Sequence, residues 1–325
     1  MDYTTLGKTG LRVSVAGLGC GGFSRLGQST GKTEAESVAI VRLAIDSGIT
    51  LIDTAANYGT EAIVGRAISA VPRERVVVTT KCSTERRGEP FPAARVIDSL
   101  DASLRELDTD YIDVFQMHGV SPAQYDRVMT TLVPALLRER ERGKFRFLGI
   151  TESGAGDQDH AMLRRAAADG VWDVEMVAFN MLHRTACDAL FPLTIANGVG
   201  TLVMHAVRSI FARPDFLAES IRELAKAGRV PAALVDNDAP LDFLVHPGGA
   251  ESVTDAAYRF ARHTPGVSVV LFGTGSAEHL RANVASLSRP RLPAADLARL
   301  LELFGDVSGL GLETPGRSRA LANTA

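Results

Sequence analysis

A chain of 325 residues, 46% hydrophobic and 22% charged, has ordinary globular composition and the length for one large domain or two modest ones. A formal net charge of -3 and an isoelectric point near 6.2 give no basic footprint for nucleic acid. Cys20, Cys82 and Cys187 are far apart and form no CxxC pair, which fits a reduced, cytoplasmic setting, and the N-terminus lacks the basic-then-apolar layout of a signal peptide.

The opening TTLGKTGLRVS reads as a hairpin turning at Gly7-Lys8-Thr9-Gly10, a cap for one end of the fold. Apolar runs then alternate with helix-period segments. A strand at 13–18 precedes a helix at 33–46, a strand at 51–53 a helix at 61–68, and a strand at 75–81 a helix at 93–107. The next strand, 111–118, leads to a helix ending near residue 142, and the strand at 145–151 to a helix at 158–169. Strands at 174–179 and 200–204 flank another helix. A helix at 253–263, a strand at 267–272 and helices at 277–286 and 294–304 complete the series. Residues 189–207 carry no formal charge, but Pro192, Asn197, Gly198 and Gly200 split them into helix, turn and strand rather than a membrane span.

Eight strand-then-helix units, recurring at roughly 30 to 40 residues, predict a parallel sheet closed as a (β/α)8 TIM barrel. One barrel domain over residues 1–325 is expected, with an N-terminal β-hairpin and an extra C-terminal helix and tail. Segments 206–250 and 305–325 belong to no unit, and long connections of this kind serve as lids or binding loops.

On such a barrel the chemistry lies at the C-terminal strand ends. The second, third and fourth strands end in Asp53, Lys81 and His118, and Tyr58 lies in the loop after Asp53. An ammonium beside a phenol favours the phenolate and lowers its pKa, a carboxylate holds that ammonium, and an imidazole can orient a reacting oxygen. No HxxxH or HExxH pattern is present, so no metal site is expected. Each residue alone has a plainer reading: Asp53 as a helix cap, Tyr58 as loop packing, Lys81 as a solvated strand end, His118 as a satisfied polar group. Their order on three successive strands favours the chemical one. The run RERERGK at 138–144 reads as a solvated helix end, and Arg86 and Arg87 as a surface loop.

The ordered set GLGCGG, LIDTAANYG, VVVTTK, YIDVFQMHG, FLGIT, AFNMLHR and GTGSAEHLRANV resembles the aldo-keto reductases over essentially the whole chain. The resemblance implies an NADP(H)- or NAD(H)-dependent oxidoreductase that interconverts a small-molecule carbonyl (aldehyde, ketone or sugar) and its alcohol. It implies that Tyr58 is the general acid-base, that Lys81 lowers its pKa, that Asp53 pairs with Lys81 and that His118 orients the carbonyl. It places the cofactor against Gly19, Cys20, Asp53, Thr151, Glu152, Met176, Met204, Gly273, Thr274, Gly275, Ser276, His279 and Asn283.

Several of these positions depart from the family pattern. Thr151-Glu152 stands where Ser-Asn is common, Met176 where glutamine is usual, and Met204 where an aromatic ring stacks on the nicotinamide. An ionised Glu152 can only accept, so it is expected to hold just the amide NH2. Gly273 and His279 stand where a lysine and an arginine hold the 2′-phosphate of NADPH, which predicts weak discrimination between the two dinucleotides. A cofactor-binding regulatory protein of the same fold and a Schiff-base lyase using Lys81 are the competing readings.

Overall fold

The computed structural model describes residues 1–312. β1 (Tyr3–Thr5) and β2 (Arg12–Ser14) pair antiparallel through a tight turn at Gly7–Thr9, closed by Gly10 at φ 71°. The strand expected over 13–18 is broken at Val15. Its first part stays in the hairpin and its second part, β3 (Ala16–Gly19), enters the barrel. Leu6, Leu11 and Val13 of the hairpin are buried with Leu51, Val77, Val114, Val174, Leu202 and Val269, so the hairpin stoppers the barrel floor.

After β3 come α1 (Glu34–Asp46), β4 (Leu51–Asp53), α2 (Glu61–Ile68) and β5 (Val77–Ser83). A small ribbon, β6 (Glu85–Arg86) with β7 (Glu89–Pro90), leads to α3 (Ala93–Leu107) and β8 (Ile112–Val120). α4 (Pro122–Arg127) and α5 (Val133–Glu141) run together through a π-helical turn, then β9 (Phe145–Glu152), α6 (Ala161–Asp169) and β10 (Val174–Ala178) follow. Two short helices, α7 (Ala186–Ala189) and α8 (Phe191–Ala196), stand where one was expected. They precede β11 (Gly200–Met204), α9 (Ser209–Ala212), α10 (Pro214–Lys226) and α11 (Val253–Arg262). β12 (Val269–Phe272), α12 (Ala277–Leu287) and α13 (Ala294–Phe304) end the described fold.

β3, β4, β5, β8, β9, β10, β11 and β12 form a closed parallel barrel, with β12 hydrogen-bonded back to β3. This is a (β/α)8 barrel. Its strands read as near-continuous Val, Ile and Leu because both faces are covered. The helices are punctuated locally. Thr33 caps α1 by accepting from the Glu36 amide at 3.3 Å, and the Glu36 carboxylate accepts from the Thr33 amide at 2.8 Å. The helix expected at 158–169 starts only at Ala161, because Asp157 accepts from the Ala161 and Met162 amides, both at 2.8 Å.

Residues 189–207 divide into α8, a turn at Gly198 and β11, as their breakers predicted, and no described helix is long and apolar enough to cross a membrane. The long connection 206–250 is structured. Ile210, Phe211, Leu217, Ile221, Leu241 and Leu244 bury against Met181, Leu182, Leu300 and Phe304 in a second apolar cluster. The chain beyond α13 is tied to the loop after β10: the Gly309 amide donates to His183 Nδ1 at 3.1 Å, and Asn180 Nδ2 donates to the Leu310 carbonyl at 3.0 Å. The remainder of the 305–325 segment, from 313 on, lies outside the described residues.

Candidate active site

Asp53, Lys81 and His118 meet at the C-terminal mouth of the barrel, brought together by the parallel register of β4, β5 and β8. Lys81 is 1% exposed, and its Nζ lies 2.7 Å from both Asp53 carboxylate oxygens and 2.8 Å from the Thr54 carbonyl. Burial alone would push this ammonium down. Asp53 above all, with Tyr58 and Cys20 adding to it, outweighs burial and holds it above the ordinary lysine value. A lysine so engaged presents a fixed cation rather than a free amine, which argues against the Schiff-base reading.

Tyr58 sits on the turn between β4 and α2. Its amide donates to the Ala55 carbonyl, the Ala56 amide to the Lys81 carbonyl, and Gly59 follows at φ 71°. The turn folds the half-buried phenol back over the mouth. Tyr58 Oη lies 3.4 Å from His118 Nε2, the two rings are edge-on at 82°, and Lys81 Nζ is 5.1 Å from the phenol ring centroid. The tyrosine has room because residue 21 is glycine: a Cβ there would stand 2.3 Å from Tyr58 Cε2. Burial pushes the Tyr58 phenol up while Lys81 pulls it down, and burial prevails. The lowering expected from the lysine is therefore real in sign but is not the net direction. Burial, reinforced by Lys81, pushes His118 down to about 3, so its imidazole is neutral at ordinary pH.

Two residues that the sequence reading passed over complete the cluster. Thr79 Oγ1 donates to Asp53 Oδ1 at 3.1 Å, and Gln116 Nε2 donates to Thr79 Oγ1. Both were legible in principle. Thr79 stands two residues before Lys81 and Gln116 two before His118, so strand alternation puts each on its partner's face.

The residues expected around the dinucleotide divide into three groups. Gly19 ends β3 beside Asp53, and buried Cys20 donates its amide to the Asp53 carbonyl at 2.7 Å. Burial, then Asp53, push the Cys20 thiol far up, so it is an inert wall. Thr151 is buried, and its Oγ1 accepts from the Gly119 amide at 2.7 Å. Met176 packs in the barrel's lower interior cluster with the partly buried Met204 against it.

Glu152 is placed differently from Thr151. Its carboxylate is fully buried, lies 2.9 Å from His160 Nδ1 and accepts from the Ala178 amide at 2.7 Å. The carboxylate is closed to solvent and held by these two partners. The cause is alternation: on a regular strand Thr151 and Glu152 point to opposite faces. His160 continues through its Nε2 to Thr185 Oγ1 at 2.9 Å, a polar string behind the barrel wall.

The third group follows β12. Gly273 to Ser276 lead into α12, where Thr274 Oγ1 accepts from the Ser276 amide and Ser276 Oγ from the His279 amide. A Cβ on Gly275 would stand 2.4 Å from the Gly27 Cα, and one on Gly273 would stand 3.1 Å from the Gly19 carbonyl oxygen. The loops after the first and last strands thus approach backbone to backbone, and a helix N-terminus opens beside them. Such a cradle fits the phosphates of a dinucleotide. His279 is exposed and Asn283, one turn on, is partly exposed. Among the described residues no group of His, Cys, Asp or Glu could hold a metal ion.

The chain is 38% identical over 315 residues to L-galactose dehydrogenase from Arabidopsis thaliana, covering 93% of each protein. It is 28% identical over 303 residues to the aldo-keto reductase YhdN of Bacillus subtilis, covering 87% of each. Its fold superposes on the holo form of aldo-keto reductase AKR11C1 from Bacillus halodurans with a TM-score of 0.69, at 21% identity over 96% of this chain and 100% of that one. It superposes on an aldo/keto reductase from Klebsiella pneumoniae, solved with NADP and acetate, with a TM-score of 0.65, at 23% identity over 94% of this chain and 96% of that one. The sequence model of the Aldo/keto reductase family matches residues 17–304, and the chain belongs to that family.

Proposed function

We propose that this oxidoreductase interconverts an alcohol and a carbonyl with a nicotinamide dinucleotide, and that Tyr58 is its general acid-base. The observation that carries the reading is the Asp53–Lys81 ion pair beneath a phenol that also reaches a neutral histidine. The dinucleotide would lie from Thr151 and Met204 across Gly19 and Cys20 to the Gly273–Ser276 turn. Bound there, it supplies the chemistry of hydride transfer to and from carbon.

The chain's own groups handle the proton. In reduction, Tyr58 Oη gives its proton to the oxygen that becomes the alcohol. In oxidation it takes that proton back. Its raised pKa keeps it protonated at neutral pH, and the Lys81 cation stabilises the phenolate left when the proton is given up. Asp53 fixes Lys81, and neutral His118 can donate Nε2–H to the reacting oxygen without adding a second cation. Cys20 contributes an apolar wall.

The substrate we favour is an aldose in its ring form, oxidised at the anomeric carbon to a lactone. Similarity to L-galactose dehydrogenase across nearly the whole of both chains supports this. The bond changes balance: the anomeric C–H leaves as hydride, the O–H proton goes to Tyr58, and the carbon becomes a carbonyl. The test is a panel of hexoses, pentoses and simple aldehydes with all four nicotinamide forms, followed at the nicotinamide absorbance. The reading expects aldoses, with oxidised cofactor, to give the highest kcat/KM. Aldoses ranking below simple aldehydes would overturn the substrate assignment, and no nicotinamide turnover with any substrate would overturn the activity.

A further inference from the structure

We propose that Gln116 and Thr79 are positioning residues of the reaction, a directed hydrogen-bond relay that fixes the Asp53 carboxylate on Lys81 and limits how much of its charge Tyr58 feels. The proposal rests on the acid-base reading of Tyr58, Lys81 and Asp53 given above.

The direction of the relay follows from proton counting. The Asp53 carboxylate, paired with Lys81, can only accept. Thr79 therefore spends its single hydroxyl proton on Asp53 Oδ1. Its oxygen must then accept, and the donor is the Gln116 amide nitrogen. This also fixes the amide orientation of Gln116. A hydroxyl that accepts one strong hydrogen bond becomes a better donor in the next.

The sequence makes room for this arrangement. Gln116 pairs across the sheet with Lys81 on one side and Gly149 on the other. A Cβ at 149 would stand 2.7 Å from the Gln116 Cγ and 3.1 Å from the Val174 carbonyl oxygen. Glycine in the middle of β9 is unfavourable for a strand, and it is what admits the long side chain. Gln116 is fully buried, and its Oε1 has no hydrogen-bond partner among the described residues. A buried carbonyl left bare costs stability that a leucine would not. A residue that weakens the strand opposite and leaves its own acceptor unmet is better explained by the charge it serves than by packing.

The titratable groups around Tyr58 are Asp53 on β4, Lys81 on β5, His118 on β8 and Cys20 after β3. Of these, Asp53 and, to a smaller extent, Cys20 oppose the phenolate, and Lys81 favours it. The Thr79 proton draws off part of the carboxylate charge. Without it, Asp53 repels the phenolate more strongly, and Tyr58 ionises at higher pH.

The experiment follows kcat against pH in the oxidative direction, where turnover climbs as Tyr58 becomes a base. Thr79→Val should move that limb upward by about half a pH unit or more. Thr79→Ser, which keeps the hydroxyl, should return it to the parent position. Gln116→Met, of similar volume and without the donor, should move it the same way by less. It carries the comparison if Thr79→Val does not fold. Superimposable profiles for the parent, Thr79→Val and Gln116→Met overturn the relay, as does a shift that Thr79→Ser fails to reverse. Lys81→Met separates the two layers. If it keeps near-parental turnover, the acid-base reading falls and the relay with it. If it abolishes turnover while the Thr79 and Gln116 profiles stay put, only the relay falls.

Discussion

Gly21→Ala is a small change with a large predicted effect on chemistry. Gly21 has an ordinary φ, so alanine strains no backbone there and the whole cost is space. The new Cβ would stand 2.3 Å from Cε2, 2.6 Å from Cζ and 2.7 Å from Cδ2 of Tyr58, against an ordinary contact of 3.4–4 Å. The ring must withdraw by roughly 1 Å, and a misplacement of that size can cost a catalytic step about 10²-fold. In energy this is near 2.7 kcal/mol. The Oη–His118 separation, already 3.4 Å, has no slack to absorb the move. The assay is steady-state turnover at saturating cofactor and substrate, beside a melting curve that verifies folding. The loss should fall on kcat, with a folded protein. A kcat within about twofold of the parent would refute the claim that the phenol is held in register by bare backbone at Gly21.

Other consequences concern charge. Because His118 is pushed down to about 3 from 6.5, the kcat/KM profile should show no limb near pH 6.5, and a limb there that disappears in His118→Asn would contradict this. Glu175 is fully buried on β10 with both carboxylate oxygens unpartnered among the described residues, and burial, then Glu152, push it well above the usual carboxylate range. An acid with a raised folded pKa penalises folding above its unfolded value near 4.5, and the penalty grows with pH. Glu175→Met should therefore stabilise the protein by about 1–3 kcal/mol near neutrality. Denaturant melts should show a smaller advantage at acid pH than at alkaline pH, and an equal or inverted advantage would count against the assignment. At the cofactor end, exposed His279 and the adjacent Glu278 offer no forked cation to a 2′-phosphate, so kcat/KM for NADPH should exceed that for NADH by less than roughly a thousandfold, about 4 kcal/mol. A larger preference would point to a cation elsewhere around the cradle.

Much of the barrel was legible because its strands are short, apolar and evenly spaced, and because Asp53, Lys81 and His118 each end an apolar run. The boundaries that moved did so for local reasons. The first strand is cut at Val15, where the chain leaves the hairpin for the barrel. The α6 start waits for the Asp157 cap, and the hydrogen bonds of a cap are not visible in periodicity. At the site, the placing of Glu152 follows a rule the sequence did contain: neighbours on a strand face opposite ways. The His160 partner that takes up its carboxylate lies eight residues on, in a turn with no sequence signal. Thr79 and Gln116 were readable by the same alternation, but only once Asp53 was known to be their neighbour in space. The Tyr58 contact at Gly21 depends on how two loops pack, which no periodicity encodes.

The central claim is that Tyr58 moves the proton in the reaction, and Tyr58→Phe tests it most directly. The substitution removes Oη and keeps the ring that packs on Gly21 and faces Lys81. On a substrate identified in the panel, kcat should fall by about 10²-fold or more. Cofactor affinity, measured by titrating nicotinamide fluorescence, should stay within several-fold of the parent. Turnover close to the parent, with the substitution verified and the cofactor bound, would contradict the account.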